Sequence, residues 1–93
     1  MIQAEKRHLN IILDILGKYQ YHFYAFGSRV KNTAKRFSDL DLCYKEPIPD
    51  GVIIELEEKF EESDLPFKID FLDWKRCTKD FQELISKDLE LIQ

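Results

Sequence analysis

Asp39 and Asp41 flank a single leucine, and a Gly27-Ser28 pair stands ten residues upstream of them. On a strand, residues two apart point to the same face, so these two carboxylates would project together. Like charges that close repel, and a cation between them removes the penalty. Magnesium suits such a pair, because it takes one or two protein carboxylates and completes its octahedron with water and substrate phosphate. Gly27 lets the backbone approach a ligand with no side chain in the way. Ser28 brings a hydroxyl and a backbone N–H that together can hold phosphate oxygens. Arg29 and Lys31 follow at once, and their charges are placed to meet a triphosphate. A lone Asp-x-Asp usually marks a solvated edge-strand face. The Gly-Ser pair at this spacing, at the end of a predicted strand, is what makes the pattern specific.

The elements that must position these residues follow from the hydrophobic pattern. Leu9, Ile12, Leu13 and Leu16 fall at helical spacing and predict a first helix over Gln3 to Leu16, ended by Gly17. Ile2, Ile11 and Ile15 add a second apolar row, open to two uses: a helix clamped within the core, or a partner surface. Tyr21 to Phe26 reads as a short buried strand, its aromatics forming core rather than a stacking platform. A turn with one helical turn inside it follows Gly27-Ser28. Asp39 to Tyr44 alternates, with Leu40, Leu42 and Tyr44 on one face and Asp39, Asp41 and Cys43 on the other. A helix over Gly51 to Glu62 buries Val52, Ile53, Leu56 and Phe60. Phe67 to Trp74 alternates again, with Lys68, Asp70 and Leu72 opposite Phe67, Ile69 and Phe71. Thr78 caps a last helix whose stripe is Phe81, Leu84, Ile85, Leu89 and Ile92. The order is α-β-β-α-β-α, an α+β fold with a small mixed sheet and helices packed on one side. A doubly wound parallel sheet is not implied.

Composition bounds the rest. At 93 residues, the chain is expected to form one domain over 1–93. Hydrophobic content of 44% and charged content of 34% are those of an ordinary globular protein. No apolar run approaches the roughly 18 residues of a membrane span, and the N-terminus lacks the order of a secretion signal, so the expected compartment is the cytoplasm. Cys43 and Cys77 form no disulfide framework, and His8 and His22 belong to no zinc spacing. The net charge of −4 argues against broad binding to nucleic acid. Arg29, Lys31, Lys35 and Arg36 nevertheless make a local cationic patch, which suits a small phosphate ligand.

The run AFGSRVKNTAKRFSDLDL resembles the signature of the DNA polymerase β-like nucleotidyltransferase superfamily. The short chain and the segment Lys68-Ile69-Asp70-Phe71 make it similar to the minimal nucleotidyltransferase (MNT) branch. The resemblance covers nearly the whole chain. It implies metal ligands at Asp39 and Asp41, a third carboxylate at Asp70 that also helps deprotonate the attacking hydroxyl, two Mg2+ ions, and ATP as substrate. Asp73 is the competitor, but it falls on the opposite face from Asp70 in a regular strand. Asn32 stands where many members have glycine, and asparagine tolerates the same backbone. The resemblance further implies an acceptor supplied in trans: a helical HEPN-domain protein, a ribonuclease toxin in many systems, which receives AMP on a tyrosine hydroxyl. The chain would then be the antitoxin, with a hetero-oligomer allowed and neither membrane nor direct nucleic-acid binding expected. Two other readings compete: a non-catalytic module that neutralises its partner by contact, and transfer to a small molecule or RNA.

Overall fold

The structure is a computed structural model that describes residues 2–31, 33–35 and 38–93. Three helices, α1 (Lys6–Leu16), α2 (Asp50–Glu61) and α3 (Lys79–Ser86), combine with strands β1 (Tyr24–Phe26), β2 (Leu40–Tyr44), β3 (Ile69–Asp73) and β4 (Glu90–Leu91). The sheet order is β3-β2-β1-β4. β1 runs antiparallel to both β2 and β4, and β2 runs parallel to β3.

Alternation along the strands divides the interior into two parts. Ala25, Leu40, Leu42, Tyr44 and Ile69 share one face with Ile12 and Leu16 of α1, Leu56 and Phe60 of α2, and Phe23. The other face carries Phe26 and Cys43, with Leu72 and Trp74 beside them and Ile85 of α3 packed on top. The expectation of helices on one side therefore holds for α1 and α2, whereas α3 lies across the sheet from them. A 3-10 turn over Trp74–Arg76 takes the chain there, held by Asp73, whose carboxylate accepts from the Lys75 amide at 3.0 Å. Phe81 of α3 then meets Phe26 edge-on, at 6.2 Å between ring centroids.

Other expectations change in detail. α1 begins at Lys6, and residues 2–5 run ahead of it as a non-helical strap. Its buried row is His8, Ile12 and Leu16, at i, i+4 and i+8, while Leu13 is 42% exposed. The i+4 row wins because His8 can set its ring edge-on against Phe67, 5.7 Å away. Of the second row, Ile2 and Ile15 pack on the main core, and Ile11 is partly buried. Gly17 ends α1 in a right-handed conformation, not a left-handed one. The helix end is closed instead by Gln93, whose Nε2 lies 2.8 Å from Leu16 O and 3.1 Å from both Tyr19 O and Tyr21 O. Thr78 caps α3 as expected, its hydroxyl accepting from the Phe81 amide at 3.2 Å. That helix stops at Ser86, however, and Leu84 is 63% exposed. The chain beyond it becomes β4, tied on by Ile92 N to Phe23 O at 2.9 Å. Among the described residues, no helix is long and apolar enough to cross a membrane.

Candidate active site

Gly27 closes β1 with φ +86°, a conformation that costs any residue with a Cβ. A Cβ there would also stand only 2.5 Å from Asp41 Oδ2, so the carboxylate of Asp41 lies directly over the glycine. Val30 N and Lys31 N both donate to Gly27 O at 3.1 Å, so the predicted helical turn follows the glycine at once. Ser28 lies in this turn, and its carbonyl accepts from Thr33 N at 3.0 Å.

Strand pairing gathers the acids. Asp41 is the register partner of Asp70 across the parallel β2–β3 ladder, and of Phe26 across the antiparallel β1–β2 ladder. Directly opposed residues point to the same face. The carboxylates of Asp41 and Asp70 therefore emerge side by side, on the face that α3 partly covers. Burial raises the carboxyl of Asp41 above its usual range, and the charges of Asp70 and Asp39 raise it further. Lys68, two residues before Asp70, places Nζ 3.6 Å from its Oδ1. Asp73 pairs in register with Tyr44 on the opposite face and caps the 3-10 turn, so it does not join the site.

These acids fit a divalent cation in kind: oxygen donors from adjacent strands, with mutual repulsion that a cation would relieve. They are not gathered as a finished cage, since among the described residues no group of three His, Cys, Asp or Glu stands ready to hold an ion. Asp39 is the exposed member, lying just ahead of β2.

The cationic residues divide. Lys31 is half-exposed, with Nζ 3.7 Å from Asp88 Oδ2 in the α3–β4 turn. Arg29 is 4% exposed and lies with its guanidinium over the ring of Phe67, 3.8 Å from the centroid. It donates through Nε to Ser38 O at 2.8 Å and through Nη1 to Gln3 O at 2.7 Å. Burial lowers its pKa from the usual arginine value, and the charge of Asp39 opposes that shift. Its fork is thus engaged with backbone at the rear of the loop, away from solvent. A concavity of about 830 Å3 adjoins this rear side, lined in part by Gln3, His8, Arg29, Lys35 and Phe67, and it includes none of the three aspartates. Asn32 and Arg36 lie outside the described residues. The sequence pattern missed Gln3 as a partner of the site loop; a polar side chain ahead of a helix carries no signal of a bond to residue 34.

Residues 11–93 match the family described as "Polymerase beta, Nucleotidyltransferase". The chain belongs to this nucleotidyltransferase family, and it has the mixed sheet and three helices of that fold. It is 42% identical over 96 residues to the probable protein adenylyltransferase MntA of Haemophilus influenzae, covering 99% of this chain and 84% of that protein. A toxin-antitoxin structure with AMP-PNP is similar with a TM-score of 0.68 at 21% identity, over 91% of this chain and 72% of that one. The toxin-antitoxin MntA-HepT is similar with a TM-score of 0.60 at 15% identity, over 96% and 72% of the two chains. At these identities the structural likenesses speak for the fold.

Proposed function

We propose that this nucleotidyltransferase moves AMP from ATP to a hydroxyl, that of a tyrosine, on a helical HEPN-type toxin, and so acts as its antitoxin in the cytoplasm. The observation that carries the chemistry is the pairing of Asp41 with Asp70 beside the Gly27 turn. The acceptor assignment is supported by the 42% identical relative named as a probable protein adenylyltransferase, and by similarity to toxin-antitoxin structures. Asp39, Asp41 and Asp70 would hold Mg2+, two ions in this reading, and the metal would supply positive charge that favours the attacking hydroxyl oxygen and the departing phosphate.

The chain's own residues supply the remainder. The Gly27 turn admits the triphosphate to the backbone, and the Ser28 hydroxyl and amide donate to phosphate oxygens. Lys31, whose side chain makes a loose surface pair with Asp88, can turn toward phosphate charge. Arg29 serves the site from behind by fixing the loop, because its Nε and Nη1 already meet carbonyls. Asp70 accepts the proton of the acceptor hydroxyl as that oxygen bonds to the α-phosphorus. The bond from the α-phosphorus to the bridging oxygen breaks, and pyrophosphate leaves with its electron pair.

The test is transfer of label from α-labelled ATP to the HEPN-type partner in the presence of Mg2+. Label on a partner tyrosine is expected, with loss of labelling in the Asp39→Asn, Asp41→Asn double variant. Persistent labelling by that variant would refute the carboxylate assignment. Neutralisation of the toxin with no label on it would instead favour a binding module.

A further inference from the structure

The strap ahead of α1 lies outside residues 11–93, the part matched to the family, yet it is stitched to the site loop. The Gln3 amide donates to Arg29 O at 2.6 Å, and Arg29 Nη1 donates back to Gln3 O at 2.7 Å. The Gln3 side chain pairs with one backbone unit in both directions. Its Nε2 donates to Ala34 O at 3.0 Å, and its Oε1 accepts from Ala34 N at 3.1 Å. Arg29 carries the link onward through Nε to Ser38 O at 2.8 Å, immediately before Asp39. Only a carboxamide offers both a donor and an acceptor in this geometry; a carboxylate has no donor and an ammonium no acceptor.

Asp39 needs such help more than its partners do. Asp41 and Asp70 lie within paired strands, whereas Asp39 lies just ahead of β2, where loop conformation decides its placement. A loop already held costs less ordering when a ligand arrives. We propose that Gln3 is a positioning residue for Asp39: strap and Arg29 form a clasp that holds the β1–β2 loop so that Asp39 stands beside Asp41. This inference rests on the reading of Asp39 as a metal ligand.

The experiment measures Mn2+ binding to the full chain by electron paramagnetic resonance, in the presence of α,β-methylene-ATP, for Gln3→Ala and Gln3→Glu. Both variants are expected to bind Mn2+ about tenfold more weakly, the lower end of what supporting residues of a metal site command. In turnover, the Mg2+ concentration for half-maximal rate should rise by a similar factor, while kcat at saturating Mg2+ stays near that of the parent. Parental Mn2+ affinity in both variants overturns the clasp, as does a fall in kcat without a change in half-saturation. Asp39→Asn, measured alongside, separates the two readings. Parental Mn2+ affinity there sinks the ligand assignment and the clasp with it, whereas loss there beside parental affinity in the Gln3 variants sinks the clasp alone. Should Gln3→Ala fail to fold, Gln3→Glu carries the test, since it keeps the shape and the acceptor. Unfolding of both would make the strap a structural element and refute the positioning role.

Discussion

Asp41 is where site chemistry and stability oppose one another. Its carboxyl is raised by burial and by two neighbouring acids, so at pH values between the ordinary and the raised pKa the folded chain holds a proton that the unfolded chain has released. Without divalent ions, folding stability therefore falls as pH rises from the ordinary aspartate value of about 3.9 through the raised one. Asp41→Asn should melt higher than the parent at pH 7 in chelator, and the difference should vanish in acid, where both side chains are neutral. Calorimetry at the two pH values checks this. The same variant should lose transfer by more than the roughly 100-fold that residues supporting a metal site command. Gly27→Ala meets two penalties together, a left-handed backbone and a Cβ 2.5 Å from Asp41 Oδ2. The backbone alone costs about 1–2 kcal/mol. An unfolding free energy in urea lowered by at least that amount, together with lost transfer, is the expected outcome.

Among the elements, α3 has the least expected position. It covers the sheet face that bears the aspartates, resting Ile85 on Phe26 and Cys43. The environment there is dry enough to push the Cys43 thiol up to about 11. The helix is short, and its first turn depends on the Thr78 hydroxyl. Thr78→Ala should cost about 1 kcal/mol, the usual value of a lost N-cap. Hydrogen exchange at the Phe81 amide should quicken, while amides of the central β1–β2 ladder keep their protection relative to global stability.

For the whole molecule, a core drawn from a 93-residue chain leaves a thin margin. Phe23 is fully buried, touches Tyr44 and Phe71 edge-on, and its carbonyl anchors β4 through Ile92 N. Phe23→Ala should cost about 3–5 kcal/mol, a large share of the roughly 5–15 kcal/mol by which such domains are stable. Denaturant unfolding should show the loss.

Periodicity made β2, β3 and the helices α1, α2 and α3 legible, because alternate or helically spaced residues write a face into the order of residues, while β1 showed as an aromatic run. Asp39 and Asp41 stand out because they are two apart, whereas Asp70 is singled out by the family resemblance of the segment around it. What the linear order could not contain was which strands lie side by side. The opposition of Asp41 to Asp70 is a parallel register between segments joined through α2. β4 has two residues, too few for any period, and exists because β1 offered it an open edge. Arg29 likewise reads as a phosphate ligand by type and place, and only the folded chain turns it onto Phe67 and two carbonyls. Residue types and short spacings set what chemistry was available, whereas hydrogen bonds between distant segments decided which of those groups meet.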